Sequence, residues 1–146
     1  INDQLVHFLV SHPTPPVFDG PEDRNGARNH DEIRFWSDYI NPARSAYIYD
    51  DKGVRGGLAE DTKFVIAGDL NADPVDGDSS GGAILQLLTN PLVNSACEPL
   101  SEGAAEATTI QAGKNLGQQG NPAADTADFN DKYTGNMRID YVLPGW

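Results

Sequence analysis

A carboxylate and an amide follow a hydrophobic stretch in the middle of the sequence, and they are two residues apart, so both side chains can face the same pocket. Residues 64–67 are Phe-Val-Ile-Ala, and this run stops at Gly68, which Asp69 and Asn71 follow. Consecutive apolar residues of β-branched and aromatic type predict a central strand that is buried on both faces. If the backbone stays extended through Leu70, Asp69 and Asn71 point the same way and face one pocket. A strand followed by an ordinary Asp/Asn-rich turn would give the same local pattern.

A histidine stands at the end of a second hydrophobic run. Residues 5–12 read Leu-Val-His-Phe-Leu-Val-Ser-His, and Pro13 ends the run, so His12 is predicted at a strand end. An imidazole in that position can donate a proton to a bound group or accept one from it. His7 lies among apolar neighbours, and we interpret it as a packed or edge histidine rather than a ligand.

A third strand is predicted over residues 137–144, and it carries charge on one face. Alternation puts Arg138, Asp140 and Val142 on one side of this strand. The other side is apolar and consists of Ile139, Tyr141 and Leu143. A carboxylate such as Asp140 needs a partner if the strand is buried on both faces.

The long loop predicted over residues 13–29 brings two arginines into an acidic chain. Long ordered loops in compact domains are commonly functional. Arg28 is therefore a candidate for binding a phosphate group. The alternative is that Arg24 and Arg28 form ion pairs with nearby acids such as Glu22 and Asp23.

The sequence also predicts the helix that positions these strands. Asn29 is a suitable N-cap for a helix over residues 30–40. Ile33, Trp36 and Ile40 recur at spacings of three and four residues, so this helix is expected to pack an apolar stripe on the sheet.

The remaining connections are predicted to be short elements, turns or irregular chain. Residues 45–50 form either a short strand or an extended connection, and residues 50–53 form a turn. Residues 83–91 predict a short amphipathic helix that packs on the core and ends at a proline. Residues 98–136 are rich in small and polar types and predict a long irregular excursion.

An acidic turn follows the central strand and raises the question of calcium. Asp73, Asp76 and Asp78 place three carboxylates close together, and Ca²⁺ binds oxygen ligands. The turn lacks the ligand spacing and the terminal glutamate of an EF-hand loop. Calcium at these three residues is therefore kept as an alternative for this turn.

Charge and size limit the classes of function. The sequence has 146 residues, 38% of them hydrophobic, which suits one globular domain over residues 1–146. Its 22 acidic and 10 basic residues give a net charge of −12, which repels nucleic acid. The net charge therefore argues against tight, non-specific duplex binding, unless divalent cations or a local basic patch intervene.

The numbers of cysteine and lysine residues limit the kinds of site and the cellular location that the sequence predicts. One cysteine, Cys97, excludes an internal disulfide framework and a multi-cysteine zinc site. No run approaches the roughly 18 apolar residues of a membrane span. Acids that are mostly aspartate, together with only four lysines, favour an extracellular or periplasmic location.

Three motifs in chain order resemble the endonuclease/exonuclease/phosphatase superfamily, which comprises metal-dependent phosphoesterases such as deoxyribonuclease I. They are Ser11-His12-Pro13, Gly68-Asp69-Leu70-Asn71-Ala72 and Arg138-Ile139-Asp140-Tyr141-Val142-Leu143. The resemblance implies an α/β (α+β) fold, a deoxyribonuclease I-like sandwich of mixed β-sheets flanked by helices. It also implies hydrolysis of a phosphomonoester or phosphodiester by activated water, attacking in line, with Mg²⁺ or Mn²⁺ as cofactor.

The resemblance implies a role for each matching residue. Asp69 looks like the aspartate that orients or deprotonates the attacking water, and Asn71 resembles the amide that holds the phosphate. Both are similar to groups that contact the metal. His12 looks like the histidine that donates to a phosphate oxygen, and Asp140 like the aspartate that orients a catalytic histidine. Arg28 is the further substrate-binding candidate.

The sequence also departs from the family pattern. An early Asn and a metal-binding Glu are expected before His12, and a Ser-Asp-His motif is expected after Trp146. We therefore expect a middle-to-late segment of a phosphoesterase, completed by N- and C-terminal parts of a parent or by another chain, and poorly active alone. A small phosphoester, a phosphorylated lipid or sugar, and a nucleic acid all remain possible substrates. A non-catalytic binding or structural module with this fold is the alternative.

Overall fold

The structure, a computed structural model, describes residues 5–146, so the first four residues of the predicted domain lie outside the described part. The regular elements are, in chain order, β1 (Val6–Val10), α1 (Arg24–Tyr39), β2 (Lys63–Asp69), α2 (Leu85–Leu88), α3 (Glu102–Gln111) and β3 (Asp140–Pro144). Single 3₁₀ turns occur at Ser45–Tyr47, Ser80–Gly82, Gly113–Gly117 and Pro122–Ala124. The predicted mixed α/β class is confirmed. Within residues 5–146 no helix has the length and the apolar character required to cross a membrane.

The sheet has the order β1-β2-β3, which confirms that the run ending at Gly68 is the central strand. β1 runs parallel to β2 and pairs Val10 with Ala67. β3 runs antiparallel to β2 and pairs Asp140 with Asp69. Because β1 and β2 are parallel, their carboxyl ends lie at the same edge of the sheet, and β3 begins there.

One face of the sheet forms the hydrophobic core together with α1 and α2. The sheet contributes Leu9, Phe64, Ile66, Tyr141 and Leu143, and the helical side contributes Ile33, Ile40, Ala83, Ile84 and Leu87. Trp36 packs against this cluster. The predicted helix stripe and the predicted alternation in the last strand are therefore both confirmed.

Helix α1 begins earlier than predicted, at Arg24, and Asn29 lies inside it rather than at its N-cap. Asn is a poor helix former, so local propensity favours a later start. Two tertiary interactions override that preference. The Asp19 carboxylate accepts the main-chain N–H of Asn25 in the first turn, and the Asn29 amide bonds carbonyl groups outside the helix.

The segment 98–136 is not wholly irregular, because it contains α3. The Ser101 hydroxyl caps this helix by accepting the N–H of Ala104 at 3.3 Å. None of the residues of α3 is buried, so the helix has no apolar stripe that a sequence pattern could show. Residues 45–47 form a 3₁₀ turn rather than a strand, and the helix predicted over residues 83–91 is limited to α2.

A half-buried carboxylate, Asp125, lies near the acidic turn. Burial, together with the negative charges of Asp73 and Asp76, raises the pKa of Asp125 to about 6. The folded chain therefore binds this proton more tightly than the unfolded chain does. The resulting stability is fully present below the ordinary pKa of 3.8 and is lost as the pH rises through about 6.

We expect Asp125→Asn to stabilise the protein at about pH 8 but not at about pH 3, where the native carboxyl is already protonated. Screening by solvent limits the expected gain to about 1 kcal/mol in the free energy of unfolding. Thermal denaturation at the two pH values measures it. Asp51→Asn, in an exposed turn, is the control, and a lower melting temperature for Asp125→Asn at the higher pH would contradict the assignment.

Candidate active site

Three of the predicted site residues lie side by side where the strands meet. Asp69 pairs with Asp140 across β2 and β3, and directly paired residues place their side chains on the same face of a sheet. His12 follows β1, and its Nε2 lies 3.3 Å from Oδ2 of Asp69. The His12 side chain is 69% exposed and that of Asp69 is 33% exposed, so both remain accessible to a ligand. These residues lie on the face opposite the core, at the carboxyl ends of β1 and β2.

Asn71 joins this group by a different route from the one predicted. The backbone does not stay extended, because Asn71 adopts a left-handed conformation with φ of 50°. Asparagine tolerates that conformation better than most residues do. Its N–H donates to Oδ1 of Asp69 at 2.9 Å, and its side-chain Nδ2 donates to the Pro13 carbonyl at 3.0 Å. A tight turn therefore places the amide beside the segment that carries His12.

Gly68 permits the close approach of the two strand ends. Its φ is 151°, and a Cβ atom there would overlap the carbonyl oxygen of Ser11. Since Ser11 and Gly68 immediately precede His12 and Asp69, their contact limits how far apart the His12 and Asp69 side chains lie.

Asn29 is the main residue that sequence reasoning assigned wrongly. It is fully buried, and its Nδ2 lies 3.0 Å from the carbonyls of Thr14 and Leu70 and 3.4 Å from that of Asn71. One helix side chain thus ties together the segments that follow β1 and β2. Its Oδ1 is also buried and has no hydrogen-bond partner. The signal was present in the sequence, because Asn29 precedes Ile33 by four residues and so belongs to the buried stripe.

Asp73 and Tyr141 fix the start of β3 against the turn after β2. Oδ2 of Asp73 accepts the N–H of Arg138 at 2.8 Å. The Tyr141 hydroxyl lies 2.7 Å from the Ala72 carbonyl and 2.8 Å from the Arg138 carbonyl, so it donates to one of them at a time. Burial raises the pKa of Tyr141 far above its ordinary value and keeps the hydroxyl protonated as a donor.

The carboxylates proposed for calcium have other partners. Oδ1 of Asp73 accepts the N–H groups of Val75 and Asp76, and Asp76 accepts those of Gln119 and Gly120. Asp78 is exposed. In the part of the chain that the structure describes, no group of three or more His, Cys, Asp or Glu residues is arranged to hold a metal ion. The structure thus gives calcium at Asp73, Asp76 and Asp78 no support.

Arg28 lies on the exposed side of α1 rather than in a loop. It lines an open groove of about 1070 Å³ between α1 and residues 11–15, and His12 lines the same groove. The predicted ion pair forms at Arg24, whose Nη2 lies 3.5 Å from Oε1 of Glu22. Among residues 5–146, no carboxylate lies within 4 Å of the Arg28 guanidinium.

The strand ends present oxygen donors of the kind that hard divalent cations bind. Asp69 and Asn71 offer carboxylate and amide oxygens, and Asp140 adds a second carboxylate beside Asp69. Mg²⁺ commonly binds through one or two carboxylates together with substrate phosphates rather than in an all-protein cage. That mode agrees with the small number of acidic ligands at these strand ends.

Comparison of the sequence with known protein families identifies the family of the chain. The sequence model of the Endonuclease/Exonuclease/phosphatase family matches residues 1–145. The chain therefore belongs to the endonuclease/exonuclease/phosphatase family, as its motifs predicted. This family generally contains hydrolytic nucleases and phosphatases and usually uses divalent metals. No curated protein and no solved structure gives a significant match.

Adding a methyl group at Gly68 is expected to separate the two strand ends. Gly68→Ala combines backbone strain with a clash against Ser11, and we expect it to lower the free energy of unfolding by about 2–4 kcal/mol. Gly53→Ala is the matched control, because Gly53 also has a positive φ but nothing lies within 4 Å of an added Cβ. Its cost should be only about 1 kcal/mol. Equal costs in urea denaturation would show that the Ser11 contact is unimportant.

Removing the Asn29 amide is expected to loosen both functional segments. Asn29→Ala leaves buried carbonyls without donors, which should cost about 2–3 kcal/mol of stability. In ¹H–¹⁵N spectra the amide signals of Thr14 and Asn71 should shift. Asn25→Ala removes a comparable bond, from Nδ2 to the Val17 carbonyl, and should leave the Asn71 signal in place. An unchanged Asn71 signal in Asn29→Ala would refute the positioning role.

Proposed function

We propose that this chain is a segment of a divalent-metal-dependent phosphoesterase and supplies part of its catalytic centre, which hydrolyses a phosphomonoester or phosphodiester by in-line attack of water. The observation that carries the proposal is the adjacency of His12, Asp69 and Asp140 at one sheet edge, with Asn71 beside them. An imidazole, an amide and two carboxylates are the groups that activate water and stabilise charge on phosphate oxygens.

His12 and Asp69 have different roles at the phosphate. The exposed His12 ring donates a hydrogen bond to a phosphate oxygen, and Asp69 beside Nε2 favours the tautomer with hydrogen on that nitrogen. Asp69 also accepts a proton from the attacking water or orients it. The N–H of Asn71 holds Oδ1 of Asp69 at 2.9 Å and so fixes the direction of the carboxylate.

Asn71 and Asp140 complete the site. One amide proton of Asn71 is donated to Pro13, and the other is available for a phosphate oxygen. Asp140 presents an exposed carboxylate that can orient a histidine from another segment of the enzyme. When bound, Mg²⁺ or Mn²⁺ held by Asp69 and Asn71 would supply positive charge to the phosphate oxygens.

The substrate is best described as a small phosphoester, with a phosphorylated lipid or sugar included. A net charge of −12 opposes non-specific binding of duplex nucleic acid. Arg28, in the groove that His12 also lines, provides positive charge for the anionic substrate.

The uncovered face of the sheet supports the finer fold assignment, a deoxyribonuclease I-like sandwich. Val6, Phe8 and Val10 of β1 and Val142 of β3 lie on that face, and Phe8 is 68% and Val142 72% exposed. Apolar rows of this kind normally pack against another layer. A second sheet from a flanking segment or a complementing chain would cover them. The single domain over residues 1–146 and the extracellular or periplasmic location remain predictions.

Asp69→Asn tests the function. With Mg²⁺ present, the chain should bind inorganic phosphate in calorimetry and hydrolyse bis(p-nitrophenyl) phosphate slowly. The substitution should lower the hydrolysis rate by about 100-fold, because it removes the group that activates water. Asp78→Asn, which changes an exposed carboxylate in the acidic turn, should leave both properties unchanged.

The remaining outcomes separate the alternatives. Phosphate binding without any turnover would favour the non-catalytic binding module. Absence of phosphate binding, or equal hydrolysis by the wild type and Asp69→Asn, would contradict the proposed site.

A further inference from the structure

The groove beside His12 has chemically distinct ends whose positions are fixed by hydrogen bonds. At one end Trp36 donates from Nε1 to the Ser11 hydroxyl at 2.7 Å. At the other end Glu32 accepts the N–H of Thr14 at 2.6 Å. Helix α1 and residues 11–15 therefore run in opposite directions, with the aromatic end of the groove next to His12.

The aromatic end offers an exposed ring surface. Phe35 is 38% exposed. Its ring stacks on Tyr39 with centroids 5.7 Å apart and meets the edge of Trp36 at 5.1 Å. These contacts hold the Phe35 ring in place, so it forms a rigid wall of the groove against which an apolar ring can pack.

At the opposite end, the Arg28 guanidinium has no ion-pair partner within the described residues. Of the acids that line the groove, Glu22 pairs with Arg24 and Asp31 with Arg34, while Glu32 accepts from the uncharged Thr14 and keeps its negative charge. Within residues 5–146, Arg28 is the arginine with neither a carboxylate within 4 Å nor an aromatic ring beneath its guanidinium. In a chain of net charge −12, such a guanidinium suits an anionic ligand.

From this arrangement we propose that the groove binds the organic part of a small phosphoester that carries a planar apolar ring next to the phosphate and a second anionic group beyond the ring. The ring packs against Phe35 and Trp36, and the second anion binds Arg28. Seven helical residues separate Phe35 from Arg28, which corresponds to about 10 Å along the axis and matches a compact molecule. The inference rests on the proposed function, because the ester phosphate occupies the site of His12 and Asp69.

Three probes separate the contributions of the phosphate, the ring and the second anionic group to binding. They are inorganic phosphate, phenyl phosphate and 4-carboxyphenyl phosphate, each titrated calorimetrically into the chain with Mg²⁺. We expect affinity to rise in that order, by about five- to tenfold at each step. Arg28→Gln should lower the affinity for 4-carboxyphenyl phosphate more than that for phenyl phosphate, so that the gain from the carboxyl group is lost. Phe35→Leu should remove the gain from the ring. Arg24→Gln is the matched control, since Arg24 lines the same groove but is already paired with Glu22.

The possible results of these titrations distinguish failure of the groove proposal from failure of the proposed function. Equal affinity for all three probes, or an equal loss in Arg24→Gln and Arg28→Gln, would overturn this inference and leave the proposed function standing. Failure of all three probes to bind would overturn both. Circular dichroism checks the fold of Phe35→Leu, and Arg28→Gln, at an exposed position, tests the groove independently of that variant.

Discussion

The contact between the Ser11 carbonyl and Gly68 is the constraint on which the site depends. Because β1 and β2 pair in parallel up to Val10 and Ala67, the two strands end next to each other at the edge of the sheet. Because Gly68 has no side chain, the backbone at Gly68 can also approach the Ser11 carbonyl, one residue beyond the paired strands. The next residue on the two strands is then His12 or Asp69, and their side chains meet at 3.3 Å.

Main-chain carbonyls rather than ion pairs hold the surrounding segments. Asn29 donates toward the carbonyls of Thr14 and Leu70, and Tyr141 toward those of Ala72 and Arg138. These donors are buried, so losing one would strand a buried carbonyl, which costs more than an exposed ion pair contributes. Buried neutral groups therefore fix the backbone around the site, while the side chains of His12 and Asp69 stay partly exposed.

The sequence predicts the parts of this fold that depend on local pattern. The central strand and the alternation of Tyr141 and Leu143 are confirmed, because apolar periodicity reports burial directly. The predicted family is confirmed by the match over residues 1–145. The start of α1 and the existence of α3 were mispredicted. In the first case long-range bonds to Asn29 override helix propensity, and in the second the helix buries no face. The left-handed turn at Asn71 depends on the neighbouring strand and leaves no periodic signal.

Paramagnetic relaxation by Mn²⁺ tests most directly whether the strand ends form one cation and phosphate site. Mn²⁺ added to the ¹⁵N-labelled chain with inorganic phosphate should broaden the amide signals of His12, Asp69, Asn71 and Asp140 first. Broadening centred on residues 73–78, or spread evenly over the acidic surface, would contradict the account.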